Sequence, residues 1–464
     1  MNLIRQLQQK LSTTLRHEQQ PIVVAYSGGV DSHVLLHCLH TLRIEGKLNN
    51  PLSAIHIHHG LSPNADHWLL HCQQRCQALA VPLQAAKVNL DLQHRQSLEA
   101  VARTARYTKI SELAPQHALV LLAQHQDDQL ETVLLQLKRG AGPKGLAAMA
   151  ELTQHIAGID NSKQLSFYRP LLNTSQAAIL TYANQHKLQW IEDESNHNLD
   201  FERNFLRHKV LPVLTEKWPE FAKTAARSAQ LCGEQQLLLE EVSLQKLADI
   251  RSANNSLHLQ PLLELSAAWL HQLVRIWLLE SGIPAPSQTV LHKLKPELLA
   301  AKADANPIIQ WANWQFRRFD QRLFVILSEP SILPHTLLWQ GQQQLNLPEP
   351  LGSLRCQAAE QRVVQRVEQL NCLLFDPNMG EVKLHFGGYG QRFKPFDRAC
   401  SKPLKQWYKE WKIPPWQRDK VVLFTQGEQA LALLMDGKWL LSYDHHLSLA
   451  SLSTESVLSL CYQG

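Results

Sequence analysis

A glycine-rich turn near the start of the chain has the residue types that bind phosphate groups. The strand-like run Ile22-Val23-Val24-Ala25-Tyr26 leads into Ser27-Gly28-Gly29-Val30-Asp31-Ser32, and a helical pattern of apolar residues follows it. Glycines let backbone N–H groups approach phosphate oxygens, the helix N-terminus adds partial positive charge, and two serine hydroxyls can donate hydrogen bonds. Asp31 could hold Mg²⁺ on the phosphates or cap the helix. The turn therefore predicts ATP binding, and it lacks the Gly-Lys-Ser/Thr ending of a Walker A loop.

Alternating strands and helices must position this turn. Runs typical of strands lie at residues 22–26, 54–58, 82–88 and 117–123. Helical patterns follow them at residues 34–42, 67–79, 97–113 and 127–138. This alternation predicts βαβ units and a parallel sheet whose ligands lie at the carboxyl ends of the strands.

The rest of the chain predicts further domains. The pattern is helical from Leu211 to about Leu247 and again from Gln260 to Leu299, and prolines cluster after Ser328. We expect an α/β fold that begins with a Rossmann-like parallel-sheet domain. The expected order is that domain (1–215), a mainly helical domain (216–328), a linker (329–349) and a small basic α+β domain (350–464).

Composition favours a packed protein outside membranes. Of the 464 residues, 44% are hydrophobic and 19% are charged. No apolar run reaches the roughly 20 residues of a membrane span, and the first residues lack the apolar core of a signal peptide. We therefore expect a cytoplasmic protein. The eight cysteines contain no CxxC pair, and we expect free, buried thiols.

Positive charge is concentrated in one stretch near the end of the chain. Between Arg392 and Lys420 there are nine Lys or Arg residues and three Asp or Glu residues, a net charge of +6 against +5 for the whole chain. Aromatic residues are interleaved with these charges: Phe393, Phe396, Trp407, Tyr408, Trp411 and Trp416. The pattern fits either a solvated face or a nucleic-acid surface that combines phosphate contacts with stacking.

Several blocks of the sequence resemble a known family. The turn from Ser27 to Ser32 looks like that of the PP-loop, or N-type, ATP pyrophosphatases. Further blocks are similar, in order, to the tRNA(Ile)-lysidine synthetases within that group, over nearly the whole chain. These blocks are Ile55-His56-Ile57-His58-His59-Gly60-Leu61, residues 98–107, 123–132 and 137–142, Arg169-Pro170-Leu171-Leu172, residues 190–196 with Arg203-Asn204, and Pro414-Pro415-Trp416-Gln417-Arg418-Asp419.

The resemblance implies a specific reaction on RNA. An enzyme of this family adenylates the 2-oxo group of the wobble cytidine in the CAU anticodon of a minor isoleucine tRNA, using ATP with Mg²⁺. The ε-amine of free L-lysine then attacks that carbon, releases AMP and leaves lysidine. The modified tRNA reads AUA and is charged with isoleucine.

The resemblance also implies which residues carry the chemistry. Asp31, His125, Asp127, Asp128 and Glu131 are the expected catalytic residues, and Asp31 and Asp128 are the expected Mg²⁺ ligands. Spacings of three and four place Glu131 near both aspartates on one helix face. These carboxylates could bind metal, recognise the lysine ammonium or accept its proton, whereas the alternative is an acidic first turn favoured by the helix dipole.

The sequence departs from the family pattern at one point in this block. Members of the family often have two consecutive histidines, and here Gln124 replaces the first. This replacement argues against a mechanism that requires paired imidazoles and leaves the carboxylates in place.

Basic and amide side chains are the expected tRNA contacts, and surface salt bridges are the alternative. Three of them, Arg203, Asn204 and Arg207, either meet tRNA or brace the sheet. The full set is Arg103, Arg106, Arg139, Arg203, Asn204, Arg207, Lys402, Lys405 and Arg418.

Other functions compete with lysidine formation. A sulfur-transferring tRNA thiolase of the same superfamily generally uses a pair of cysteines near the site, and Cys38, Cys72 and Cys76 lack that arrangement. GMP synthetase would need a glutaminase module, and NAD synthetase a different tail. A non-catalytic tRNA-binding protein with an inert ATP fold is the alternative of another class, and the intact aspartates argue against it. An oligomer remains possible.

Overall fold

The computed structural model describes residues 3–58, 60, 62–88, 98–157, 163–302, 305–358, 372–376, 378, 380–449 and 458–463. His59 and Leu61 of the histidine block, and Ser97 at the start of a predicted helix, lie outside these residues. The chain divides into two compact units, Met1–Glu241 and Val242–Gly464.

A mostly parallel sheet forms the centre of the first unit. Its strands are β1 Ile22–Ala25, β2 Leu52–His58, β3 Leu83–Lys87, β4 Leu119–Leu121, β5 Leu152–Ala157 and β6 Lys163–Tyr168. The strand order is β3-β2-β1-β4-β6-β5, and all neighbours pair in parallel except the antiparallel β5 and β6. The predicted parallel α/β fold is confirmed, and the antiparallel edge is an addition that the alternation did not predict.

Helices lie on both faces of this sheet, and further helices follow them along the chain. They are α1 Leu3–Thr14, α2 Val30–Ile44, α3 Ala65–Ala78, α4 Leu98–Leu113, α5 Gln126–Lys138, α6 Pro143–Leu146, α7 Gln176–Gln185, α8 Glu202–Phe205, α9 Leu211–Lys217 and α10 Phe221–Ile250, the last of which continues into the second unit. Side chains alternate along β1, so Val24 packs in one apolar cluster and Val23 in the other. Both faces of β1 are therefore buried, which fixes the position of the turn that follows it.

The second unit combines helices with antiparallel sheets. Its helices are α11 Leu259–Glu264, α12 Ala267–Glu280, α13 Gln288–Lys293, α14 Leu404–Glu410 and α15 Tyr443–Leu449. Its strands are β7 Leu257–His258, β8 Ile308–Trp311, β9 Trp314–Phe319, β10 Arg322–Leu327, β11 His335–Trp339, β12 Gln344–Asn346, β13 Ser353–Ala358, β14 Cys372–Phe375, β15 Val382–Phe386, β16 Arg392–Phe393, β17 Lys402–Pro403, β18 Val422–Gln426, β19 Gln429–Met435, β20 Lys438–Leu441 and β21 Leu458–Gln463.

These strands form separate sheets. The orders are β7-β10-β9-β8, β11-β15-β18-β19-β20, β12-β13-β21-β14 and β16-β17. Strands β11 and β12 lie within residues 329–349 and pair with β15 and β13. The proline-containing stretch that we expected to be a linker is thus part of the C-terminal sheets, because its strands find their β-pairing partners further along the chain, in β13 and β15.

Two of the cysteines correct the expectation of free thiols. Cys372 and Cys461 form a disulfide across 89 residues of sequence. The cause is strand pairing, since β14 and β21 lie antiparallel with Cys372 opposite Cys461. Among the other six, Cys38, Cys72 and Cys76 are buried and Cys400 is exposed. Separately, none of the described helices has the length and apolar character needed to cross a membrane.

Candidate active site

The glycine turn is fixed by close contacts beneath it. Gly28 has a φ of +88°, and a side chain there would place its Cβ 2.7 Å from Ile191 Cδ1 and 2.8 Å from Cys72 Sγ. The Ile191 N–H donates to the Gly28 carbonyl at 3.0 Å. Only glycine suits this position, because other residues rarely adopt that φ and the space is filled. The turn therefore has one conformation, directed at the start of α2.

The polar groups of the turn bond to one another and preorganise it. Ser27 Oγ lies 3.1 Å from Ser32 Oγ, and Ser32 Oγ donates to the Gly29 carbonyl at 3.0 Å. Gly29 is the N-cap of α2, and Val30 and Asp31 begin the helix. Backbone N–H groups of a helix N-terminus attract anions. The predicted phosphate site thus has the expected strand, turn and helix around it.

His125 lies at the centre of the polar groups at the carboxyl end of β4. It is the N-cap of α5 and only 2% exposed. Its Nε2 lies 3.7 Å from Asp31 Oδ1 and 3.5 Å from Asp128 Oδ2, and its Nδ1 lies 3.6 Å from Asp127 Oδ2. The structure thus brings together Asp31 from the first turn and the two aspartates from the second, as the sequence predicted.

The charge of His125 follows from these neighbours. Burial by itself lowers the pKa of the imidazole, but the hydrogen bond to Asp127 and the negative charges of Asp128, Asp31 and Asp127 raise it to about 9. One contact favours the neutral ring instead, because the Asp127 N–H points at Nδ1 from 3.3 Å. Three carboxylates outweigh this long hydrogen bond, so the ring is protonated at neutral pH.

The three aspartates are held in different ways. Burial raises the pKa of Asp31, against the lowering effect of His125. Asp127 Oδ2 accepts from the Gln176 N–H at 2.9 Å, and despite burial its contacts with His125 and Gln176 lower the pKa of Asp127. Asp128 Oδ2 accepts from the His125 N–H at 3.0 Å and so caps α5. Asp128 therefore has a structural role in the acidic first turn of α5 as well as its place beside His125.

Glu131 is fully buried behind the aspartates and is paired with arginines. Arg207 Nε donates to Glu131 Oε1 at 2.8 Å, and an Arg207 Nη lies 3.4 Å from Asp128 Oδ1. Arg203 lies 3.8 Å from Glu131 Oε2, and Asn204 donates to the Asn198 carbonyl at 2.8 Å. Burial raises the pKa of Glu131 although Arg207 opposes it. These two arginines brace the acidic site, and their contact with tRNA stays a prediction.

A second group of arginines surrounds Tyr107 on α4. Arg169 Nη2 donates to the Tyr107 hydroxyl at 3.2 Å, and Arg103 Nη2 donates to it at 3.4 Å. The guanidinium of Arg106 lies 5.8 Å from the centre of the same ring. Burial raises the pKa of Tyr107, but the three positive charges outweigh it, and the net pKa is lowered. Sequence analysis missed Tyr107 and Arg169 as members of one cluster, although each lies in a block that resembles the family.

Of the remaining predicted tRNA residues, Arg139 belongs to the first unit, and Lys402, Lys405 and Arg418 belong to the second. Arg139 is exposed and ends α5, whose 13 residues span about 20 Å from His125. Lys402 pairs with Glu410 at 2.6 Å, Lys405 is exposed, and Arg418 Nε donates to the Ile413 carbonyl at 2.9 Å. Their contact with tRNA also stays a prediction.

The aromatic residues of the basic stretch correct the expectation of a stacking surface. Phe393, Trp407 and Tyr408 are buried in one apolar cluster, because α14 turns one face towards the sheet. Trp416 packs edge-on against Phe324 with ring centres 5.3 Å apart. Phe396 remains exposed. Three of the six rings are therefore buried in the fold and are not available to nucleic-acid bases.

The second unit is held together through the segment that carries Trp416. Besides Phe324, Trp416 packs against Phe319, with ring centres 6.1 Å apart. The guanidinium carbon of Arg317 lies 5.8 Å from the centre of the Trp416 ring. Lys412 pairs with Asp320 at 3.0 Å. These contacts join residues 412–420 to β9 and β10 of the preceding sheet.

Comparison with known families covers most of the chain. Residues 1–214 match the family model described as a PP-loop domain. Residues 257–324 match a TilS substrate binding domain, and residues 382–435 match a TilS substrate C-terminal domain.

Individual relatives are similar over nearly their full lengths. The tRNA(Ile)-lysidine synthase of Serratia proteamaculans is 40% identical over 413 residues, which cover 89% of this chain and 90% of the relative. That of Edwardsiella ictaluri is 40% identical over 414 residues, with the same coverage. That of Vibrio cholerae is 37% identical over 427 residues, 91% of this chain and 93% of the relative. The resemblance seen in the sequence is confirmed, and the chain belongs to the tRNA(Ile)-lysidine synthase family.

Proposed function

We propose that this chain joins free L-lysine to carbon 2 of the wobble cytidine in the CAU anticodon of a minor isoleucine tRNA. ATP is converted to AMP and pyrophosphate, and the product, lysidine, lets the tRNA read AUA and accept isoleucine. The observation that carries the proposal is the convergence of Asp31, Asp127 and Asp128 on His125, beside a phosphate-binding turn, in a chain of this family.

The turn and the helix behind it suit the first half of the reaction. The oxygen on carbon 2 of cytidine is a poor leaving group. In the proposed step it attacks the α-phosphorus of ATP and pyrophosphate leaves, which makes a good leaving group of that oxygen. The preorganised turn from Ser27 to Ser32 and the N-terminus of α2 hold the phosphates for this attack.

The carboxylates suit the second half, in which a cationic amine must bind and lose a proton. With all groups ionised, four carboxylates face three cations, a net charge of −1. The carboxylates are Asp31, Asp127, Asp128 and Glu131, and the cations are His125, Arg203 and Arg207. One further positive charge is therefore favoured, and the lysine ammonium supplies it. Burial makes Asp31 a stronger base than an exposed aspartate, so it is suited to accept the proton before the amine attacks.

The residues present also fit Mg²⁺. Asp31 Oδ1 is buried and accepts no hydrogen bond from the described residues. Within those residues no group of three or more His, Cys, Asp or Glu side chains is arranged to hold a metal alone. Mg²⁺ usually takes one or two protein carboxylates plus substrate phosphates, so Asp31 and Asp128 would hold it on ATP during the first half of the reaction, and Asp31 would be free to accept the proton once pyrophosphate has left. When bound it would offset the negative charge of the phosphates.

The alternative sulfur-transfer function lacks a reactive thiol pair. Burial raises the pKa of Cys72 and that of Cys76 to about 12 each. Thiols with such pKa values are not nucleophiles near neutral pH. Lysine as the nucleophile therefore fits the site better than a cysteine-bound sulfur. All proposed substrates, namely ATP, lysine and tRNA, occur in the cytoplasm, where we propose that the enzyme acts.

The form of the nucleotide product tests this proposal. The full-length protein is incubated with ATP labelled at the α-phosphate, with and without lysine and the CAU isoleucine tRNA. We expect sustained AMP formation only when tRNA and lysine are both present, and none with Asp31→Ala. Formation of ADP, or AMP formation that continues without lysine, would contradict the proposal.

A further inference from the structure

Arg169 is a buried cation held by neutral groups. It follows β6 and is 4% exposed. Its Nε donates to Gln124 Oε1 at 2.9 Å, its Nη1 to the Ala150 carbonyl at 2.8 Å, and its Nη2 to the Tyr107 hydroxyl at 3.2 Å. No carboxylate of the described residues forms an ion pair with it. A buried guanidinium is stable only when its N–H groups are bonded, so each acceptor matters.

These bonds join the elements that surround residues 124–128, which we call the catalytic turn. Tyr107 lies on α4, and Gln124 immediately precedes His125 at the start of α5. Gln129 on α5 bonds Met149 through both its side-chain atoms, at 2.9 and 3.0 Å, next to the carbonyl that accepts from Arg169. The backbone from Met149 to Glu151 is thus held by α5 on one side and by Arg169 on the other. Arg169 therefore fixes the position of the catalytic turn relative to α4 and β6.

We propose that Gln124 is a positioning residue of the reaction, which acts through Arg169 to hold the turn that presents His125, and that position 124 needs a hydrogen-bond acceptor rather than an imidazole. This inference rests on the proposed function. It accounts for the departure from the family pattern, because a histidine nitrogen and the glutamine carbonyl can both accept from Arg169 Nε.

Substitutions at position 124 separate the acceptor from the imidazole. Gln124→His keeps an acceptor, and Gln124→Leu keeps a similar size without one. We expect Gln124→His to retain kcat within about threefold. We expect Gln124→Leu to lower kcat by about tenfold to a hundredfold, the range for an unmet buried bond to a charged group, while the KM values for ATP and tRNA change less than threefold.

A buried glutamine at the opposite end of the sheet provides the control. Gln20 is 3% exposed, precedes β1 and donates to the His117 carbonyl at 3.0 Å. Gln20→Leu removes a buried glutamine from the same unit without touching the catalytic turn. We expect it to lower the melting temperature and leave kcat within about twofold of the unsubstituted protein.

If Gln124→Leu does not fold, a second variant tests whether the hydrogen bonds of Arg169 position the catalytic turn. Tyr107→Phe removes the other side-chain acceptor of Arg169 and keeps the ring contact with Phe167, whose centre lies 5.0 Å away. We expect a lower kcat with unchanged KM values. The double variant should lose less than the product of the single losses, because both act through one guanidinium.

The outcomes distinguish this inference from the proposed function. If the unsubstituted protein forms no AMP with lysine and tRNA, the proposed function fails. If the unsubstituted protein is active and Gln124→Leu retains full kcat, only the inference is overturned. Where Gln124→Leu does not fold, full kcat in Tyr107→Phe overturns it in the same way. Multiplicative losses in the double variant, or a Gln124→His variant as poor as Gln124→Leu, would also overturn it.

Discussion

The protonated ring of His125 has a measurable effect on stability that depends on pH. Its pKa is about 9 in the folded protein, against 6.5 for an ordinary histidine. At about 1.36 kcal/mol per pKa unit, this difference stabilises the fold by about 3 kcal/mol. Because the folded pKa is the higher one, the contribution is complete below pH 6.5 and is lost as pH rises through 9. The side chain is only 2% exposed, so solvent screens little of this effect.

The variant His125→Asn isolates this contribution. Asparagine can still cap α5 but carries no charge. We expect the variant to be less stable than the unsubstituted protein, and the difference to be about 3 kcal/mol larger at pH 6 than at pH 10. His33→Gln is the control, because burial lowers the pKa of His33 to about 4 and the ring is neutral throughout this range.

Hydrogen exchange of peptides from β4 and α5 in increasing urea, without Mg²⁺ or nucleotide, measures the opening free energy of this region at each pH. It reports on the site itself, which matters in a chain of more than one unit. The quantity compared is the difference in opening free energy between the unsubstituted protein and His125→Asn. If this difference stays constant within about 0.5 kcal/mol from pH 6 to 10, or grows with pH, the ring of His125 is not protonated.

Three further predictions concern other parts of the account. Gly28→Ala should weaken ATP binding about fivefold to thirtyfold in calorimetry, because a positive φ costs a non-glycine residue about 1–2 kcal/mol; unchanged affinity would contradict the tight turn. Glu131→Gln should lower the free energy of unfolding by about 2 kcal/mol in urea, because Arg207 loses its buried partner; an unchanged midpoint would mean that the pair is not formed. Trp416→Ala should raise the KM for tRNA several-fold and leave ATP binding unchanged, whereas Gln417→Ala, at an exposed neighbour, should change neither; equal effects of the two would show that the packing of Trp416 is unimportant.

The sequence predicted the parallel strands and the glycine turn of the first unit because their signals are local. The run from Ile22 to Ala25, the glycine turn and the helix that begins at Val30 are contiguous, and the same is true of β4, His125 and α5. Parallel strands place their carboxyl ends at one edge, so Asp31 and Asp128 had to meet there. The convergence on His125 is a direct consequence of that topology.

The errors all involve partners that are distant in sequence. The disulfide between Cys372 and Cys461 depends on strand pairing across 89 residues. Burial of Trp407 depends on which face of α14 meets the sheet. The basic residues around Trp407 in the sequence instead suggested an exposed, stacking ring. The bond from Arg169 to Gln124 joins side chains 45 residues apart. Periodicity along the chain carries no information about such contacts.

Transfer of labelled lysine tests the central claim most directly. The full-length protein is incubated with ATP, radiolabelled lysine and either the CAU isoleucine tRNA or the methionine elongator tRNA, and the RNA is precipitated. The account predicts ATP-dependent label in the isoleucine tRNA, with one AMP released for each lysine joined, and little label in the methionine tRNA. Absence of label in the isoleucine tRNA, or equal label in both, would contradict it.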